Sequence, residues 1–297
     1  MKSIRRLAAS GAVVVLVAAC GGGGDKPGAE RVQQLTSDLS IQQVGWASVA
    51  PEQAWVRYVK GSAWETATHA GGKSSVQRAE TSDFGWKPAP VADLKVAELD
   101  KQIAAKGDTC TGEVGMTAGG ATLSQVTCDG DVVSTAVDGK ELTEIKQWDA
   151  AGIDQALGEL KQVQDPQSLT LTFLTPKSGV AKGQTSLRDI GPKVKGVSGA
   201  ECMVTVTRLG AADGNQGLLN WGGCDAAEPL GTEPFALADV TGAKLDAALK
   251  QASTTMGITT TDVGQFDVYV QQGKPVVQVR AGNGVPTKTP TVTVPLG

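Results

Sequence analysis

Histidine is almost absent from this chain of 297 residues, which has only His69. A Ser/His/Asp or Cys/His nucleophile site would have to use that one residue. It falls in a predicted strand beside Ala70, Gly71 and Gly72, where a surface position at a hairpin end accounts for it. The chain also lacks a Gly-x-Ser-x-Gly elbow, a phosphate-binding loop, an HExxH helix and a GxGxxG turn. The expectation is therefore a protein that is not an enzyme, with carboxylate-only chemistry left open because any two acids can converge in space. Basic clusters are missing as well. Lys and Arg number 27 against 31 Asp and Glu, for a net charge of −4. Phosphate contacts need clustered cations to release counterions, so nucleic acid is not an expected partner. No CxxC spacing with accompanying histidine suggests zinc. Cys128-Asp129-Gly130-Asp131 reads as a turn, since the calcium-loop pattern is incomplete. No metal and no cofactor are expected.

Among the features that are present, the N-terminus is the most specific. Lys2, Arg5 and Arg6 form a basic region, followed by an apolar run from Leu7 to Ala19 interrupted only by Ser10 and Gly11. Crossing a bilayer takes roughly 20 apolar residues, so this run has the length of a signal-peptide core instead. It closes on Val17, Ala18, Ala19 and Cys20, which resembles the lipobox of bacterial lipoproteins. The resemblance implies cleavage after residue 19 and a diacylglyceryl, palmitate-bearing anchor on Cys20. Loss of Lys2, Arg5 and Arg6 takes the charge of the mature body to −7. Gly21 to Gly24 and Asp25 to Gly28 offer nothing to bury and read as a tether, residues 20–30. Acyl chains contribute about 0.8 kcal/mol per buried methylene, enough to hold the body at a membrane without an apolar patch on it. Gly21 is not the Asp that signals inner-membrane retention in this class. The expected location is the cell envelope, and the outer membrane if the host has one.

Four cysteines remain: Cys110, Cys128, Cys202 and Cys224. An even count in an exported chain favours disulfides, and four cysteines allow three pairings. Cys110 with Cys128 and Cys202 with Cys224 is the expected set, because each pair brackets a hairpin-like segment. Loops of this size stabilise by about 3 kcal/mol in the chain-entropy model.

Three segments share a helical pattern: Ala97 to Ile103, Ala151 to Leu157 and Ala243 to Leu249. Leu99 and Ile103, Ile153 and Leu157, and Leu245 and Leu249 recur at helical spacing, behind candidate N-caps at Asp93, Asp149 and Thr241. The separation of Cys110 from Cys202 is 92 residues, of Cys128 from Cys224 96, and of Ile153 from Leu245 again 92. These offsets predict an internal repeat, with a helix-like segment at Leu187 to Val194 standing before Cys202. Strands are predicted at 54–59, 62–68, 132–137, 169–174, 266–270 and 275–280. Gly273 is available for a turn between the last two. The fold class is α+β: two tandem similar units, residues 31–164 and 165–281, each an antiparallel sheet covered on one face by helices and stapled by a disulfide. Residues 282–297 are expected to form an extended, loosely held tail. Such units resemble PepSY-like and cystatin-like modules in topology alone, which implies no function.

Aromatic residues make up only 4% of the chain, yet Trp46, Trp55, Tyr58, Trp64, Phe84 and Trp86 fall within about forty residues of one another. They form either the core of the first unit or a binding surface, since exposed tryptophan stacks well on sugar or peptide. Two functions follow. One is a non-catalytic envelope scaffold that holds an unidentified envelope protein through this segment. The other is a binding protein for a small molecule, glycan or lipid in a cleft between the units. An exposed apolar patch favours the first; an enclosed apolar pocket of several hundred cubic ångströms favours the second.

Overall fold

The computed structural model describes residues 27–80, 85–164, 166–179, 184–197, 199–225 and 229–297. The signal segment, Cys20, most of the tether and Phe84 lie outside these residues. No helix among the described residues is long and apolar enough to cross a membrane.

The fold is α+β with antiparallel sheets. The first half runs α1 (Gly28–Asp38), β1 (Gln43–Ala50), β2 (Gln53–Lys60), β3 (Ala63–Ala70), β4 (Lys73–Glu80), β5 (Ala89–Pro90), α2 (Val96–Lys106), β6 (Thr111–Met116), β7 (Thr122–Cys128), β8 (Asp131–Val137) and β9 (Lys140–Glu141). The second half runs α3 (Ala150–Val163), β10 (Gln167–Ser168), β11 (Thr170–Leu174), β12 (Ser186–Lys195), β13 (Glu201–Leu209), β14 (Leu219–Asp225), β15 (Phe235–Ala236), α4 (Gly242–Met256), β16 (Val263–Gln271), β17 (Lys274–Ala281) and β18 (Thr291–Pro295). The first sheet has the strand order β4-β3-β2-β1-β6-β7-β8-β9, and the second β14-β13-β12-β11-β16-β17-β18.

Each sheet carries two helices on one face. Over the first, α1, α2 and the 3-10 turn Val91–Leu94 bury Val32, Leu35, Leu94 and Leu99 against Val44, Ala47, Val49, Val56 and Val114. Over the second, α3 and α4 bury Ile153, Leu157, Leu160, Leu245 and Ala252 against Leu171, Leu187, Val206, Phe266, Val268 and Val277. That second core also takes in Leu123 and Val137 from β7 and β8, so hydrophobic packing is continuous from one sheet to the other. Backbone bonds reinforce the join: Val132 N donates to Gly214 O at 2.8 Å and Ile145 N to Gly210 O at 2.9 Å. Arg208 of β13 is fully buried and ties α3 to the second sheet, donating to Glu159 on α3 and to the carbonyl oxygens of Thr143 and Leu209.

The capping chemistry explains where the helices begin. Asp149 accepts from Ala151 N and Gly152 N, and Thr241 from Lys244 N, as expected. The third candidate cap is different, since Asp93 lies in a short 3-10 turn and Lys95, in the left-handed region at φ 56°, precedes α2. Helix α1 begins at Gly28, inside the expected tether of residues 20–30, and runs on to Asp38, where no helix was expected. Pro27 stands at its cap position without a side-chain acceptor, and Asp100 of α2 instead accepts from Ala29 N at 2.7 Å.

Both disulfides join the expected partners, Cys110 with Cys128 and Cys202 with Cys224. They do not occupy matching places: the first links the start of β6 to the end of β7, the second β13 to β14. In strand order β6 and β7 match β16 and β17, so the near-constant cysteine offsets do not connect equivalent strands. The segment from Leu187 to Val194, expected as a helix, is strand β12. Its Gly191 and Pro192 sit where the pairing with β13 slips between Ile190 and Lys193, a bulge that accommodates a residue without a free N–H. The expected loose tail is also structured. β18 pairs with β17 from Val276 to Arg280, and Val294 and Leu296 are buried in the second core.

Candidate ligand-binding site

The tryptophans of the first sheet follow strand parity. In β2, Ala54, Val56 and Tyr58 point to the helices, and Trp55 and Arg57 point away. Trp46 pairs with Arg57 and with Gly115, so it shares the helix-free face. Trp86 reaches the same face from the segment before β5. A Cβ on Gly115 would stand 2.5 Å from its ring, so glycine there makes room for the indole. Trp86 stacks on Trp221 of β14, with ring centroids 4.9 Å apart.

Trp46, Trp55, Tyr58, Trp64 and Trp86, read from the sequence as either core or binding surface, therefore separate. Tyr58 is buried in the helix-covered core, its hydroxyl donating to Glu65 at 2.5 Å, and burial first and Glu65 second push it up to about 12. Trp64 pairs with Val59 and so lies on the outer face, but it is only 2% exposed and packs close to Gly45, so it is buried there and not presented. Trp46, Trp55 and Trp86 remain half-buried on the outer face. There Arg57 lies 4.7 Å from the centre of the Trp46 ring. Glu113 accepts a hydrogen bond from Trp46. Glu113 is exposed as a residue, but neighbouring side chains crowd its carboxyl, and this desolvation, set against the Trp46 bond and the Arg57 charge, moves it upward from the ordinary carboxylate value.

His69 is not at the surface: it is 7% exposed, beneath the end of α1. Its Nδ1 lies 3.0 Å from Ser74 Oγ, which donates to Asp38 at 2.6 Å. With the serine proton committed to the carboxylate, the imidazole is the donor in the first bond. This order is the reverse of a triad, in which the carboxylate orients histidine and histidine takes the serine proton. Asp129 and Gly130, both at positive φ, make the turn between β7 and β8. Among the described residues no three metal-ligating side chains gather.

Sequence reasoning gave no sign of the cavity between the second helix pair and its sheet. Trp148, Ile153, Phe173, Leu249, Val263 and Phe266 line it, and Thr175, Thr185, Thr260 and Thr261 stand among them with Asp149 and Asp246. Its volume is ≈ 480 Å³, within the span of small-molecule sites. Phe173 stacks on Phe266 at 4.5 Å and meets Trp148 edge-on at 5.2 Å, which fixes the aromatic wall. Gly242 lets α4 approach α3 here, since a Cβ at that position would stand 1.9 Å from Ala150 O. Its N–H donates to Asp154 Oδ1 at 2.6 Å. Held together at this end, the helices leave space between Ile153 and Leu249 further along. A wider basin of ≈ 660 Å³ lies on the other side of the turn Thr260–Asp262. It is formed by surface loops, and its charged groups Lys177 and Asp262 bond to each other at 2.7 Å. The aromatic cavity is the better-built concavity.

No family model matches the chain, and no curated protein is similar to it. Among solved structures, the PCNA2-PCNA3 complex from Sulfolobus tokodaii is similar at 8% identity and TM-score 0.16, over 88% of this chain and 97% of that one. The DnaN sliding clamp of Bartonella birtlesii bound to griselimycin is similar at 9% identity and TM-score 0.17, over 90% and 61%. The Helicobacter pylori beta clamp in complex with carprofen is similar at 9% identity and TM-score 0.15, over 85% and 58%. Likeness at this level carries no argument about the fold or activity of this chain.

Proposed function

We propose that this protein is a non-catalytic binding lipoprotein of the cell envelope that holds a small, largely apolar molecule between the second helix pair and its sheet. One observation carries the reading: the ≈ 480 Å³ cavity walled by Trp148, Phe173 and Phe266. Its aromatic and aliphatic surface gives apolar contact, and the threonines at its border provide a few hydrogen-bonding groups, the usual division of labour in a small-molecule site. Its lining comes from both expected units, Trp148 to Ile153 from residues 31–164 and Phe173 to Phe266 from residues 165–281, because α3 packs on the second sheet. The repeat belongs to this proposal: both sheets use one strand order, with a helix before the first long strand and another before the fifth, which supports two copies of one unit of which the second became the binding half. The anchor on Cys20 would keep the body at the membrane.

A second reading is supported by the outer face of the first sheet, where half-buried Trp46 and Trp55 with Arg57 and Glu113 suit a protein partner. One experiment separates the two. The protein is recovered from its own envelope after crosslinking, and both co-purified small molecules and crosslinked proteins are identified by mass spectrometry. A small apolar molecule present with the wild type and lost with Leu249→Trp supports the pocket. A protein partner lost with Trp46→Ala or Trp55→Ala, with no such molecule, replaces it by the scaffold reading.

A further inference from the structure

We infer that the occupant of the aromatic cavity is an organic cation, an alkyl- or arylammonium with an apolar body; this rests on the pocket reading above. Among the described residues, the lining contains two carboxylates, Asp149 and Asp246, and no Lys, Arg or His. An anion taken into such a site would lose hydration without gaining a counter-charge, so fatty acids and phosphate esters do not fit it. A helix start does lie at the cavity, and the first turn of a helix ordinarily attracts anions. Here that attraction is already spent, because Asp149 Oδ1 accepts from both Ala151 N and Gly152 N.

A positive charge finds two complementary features. An aromatic face is negative at its centre and attracts ammonium groups. Phe173 and Phe266 cover one face of each other by stacking and are buried, whereas Trp148 is half-buried, so of the three rings Trp148 is the most accessible to a cation. Asp246 sits at the border and is half-buried. Its present partner is Lys250 one turn along α4, at 2.6 Å, with a side chain 68% exposed. Exposed pairs of this spacing are weak and exchange readily with solvent, so a cation entering the cavity competes well for the carboxylate.

The test uses three ligands of one shape: benzyltrimethylammonium, its uncharged carbon isostere neopentylbenzene, and the anion benzylsulfonate. Each is titrated into the mature chain while the Trp148 indole N–H is followed by NMR. The inference predicts that the cation binds about tenfold more tightly than the isostere and that the sulfonate binds least. Asp246→Asn is expected to remove most of that advantage without changing neopentylbenzene affinity, and Lys250→Met to raise it severalfold. Equal or tighter binding of the isostere, or a cation preference that neither substitution alters, overturns the inference and leaves the pocket reading standing. If none of the three moves the Trp148 resonance, the pocket reading itself fails.

Discussion

The two sheets run their long strands in one order, yet their helix pairs sit on them differently. Over the first sheet, α1 and α2 press close. A Cβ on Gly112 would stand 2.7 Å from Leu99 and 2.8 Å from Ile103, so glycine is what allows α2 to settle on β6. Over the second, α3 and α4 are pinned at Gly242 and leave a cavity walled by aromatic rings. The helix-free faces contrast as well. The first bears Trp46, Trp55 and Trp86, and the second bears Thr172, Gln265, Asp267 and Arg280 joined by polar contacts. One topology therefore holds a filled core and a hollow one, and what decides between them is the spacing of the helices and the size of the side chains they bring.

The strongest way to break this comparison is to loosen α3 from the second sheet. Arg208→Ala leaves Glu159 in a mostly buried place without its counter-charge, with only the Gln155 amide donating to it, and is expected to destabilise by about 3–5 kcal/mol in urea unfolding. Removing either disulfide by paired Cys→Ser substitution is expected to cost about 3 kcal/mol, because the loops have similar lengths of 18 and 22 residues. They differ in exposure. In the first bridge Cys110 is 2% exposed and only Cys128 is half-buried, whereas both Cys202 and Cys224 are half-buried, so the second bridge is expected to reduce first in a timed thiol-trapping experiment.

A pair of enlargements sharpens the contrast directly. Ile103→Trp meets the tightly packed face of β6 and is expected to cost about 1–3 kcal/mol, whereas Leu249→Trp grows into open space and is expected to cost less than about 1 kcal/mol while abolishing ligand uptake. Equal costs in thermal or urea unfolding would show the two helix pairs to be equally full.

How much of this was legible in the sequence depends on whether the deciding interaction was local. Helices α2, α3 and α4 were readable because apolar residues recur every three or four positions. Helix α1 was not, since it has only Val32 and Leu35 as strong apolar residues and its cap, Asp100, lies 71 residues away. The helical reading of Leu187 to Val194 failed because a bulge absorbs Gly191 and Pro192 within a strand. Strand β18 did have a signal, the alternation of Thr291, Val292, Thr293 and Val294, which the surrounding prolines obscured; an edge strand tolerates them. In β2, Tyr58 and Trp55 stand an odd number of positions apart, and the period of two in a strand is enough to put them on opposite faces. The cavity had no such signal, because its lining comes from separate segments, Trp148 to Ile153, Phe173 to Thr175, Thr185, Asp246 to Leu249 and Thr260 to Phe266.

Two smaller effects test the electrostatics of each half. Burial holds the carboxyl of Glu113 above its ordinary value of 4.5, so the folded state disfavours its charge. Stability should fall as pH rises from that value to the folded one and then level off. Glu113→Gln is accordingly expected to raise the melting temperature at pH 7, with the gain vanishing below 4.5. In the second half, the Lys177 hydrogen bond, with those of Thr259, lowers Asp262 from 3.8 to about 2. Its contribution is present above 3.8 and lost as pH falls through about 2. Lys177→Met should move this titration upward in a carboxyl-carbon NMR experiment.

The most direct test of the central claim, that the second helix pair and not the first sheet's outer face takes up a ligand, is a map of tryptophan indole N–H resonances during titration with neopentylbenzene. The account predicts that Trp148 shifts together with the Leu249 methyls while Trp46 and Trp55 stay in place. Shifts at Trp46 and Trp55 with Trp148 unmoved would contradict it.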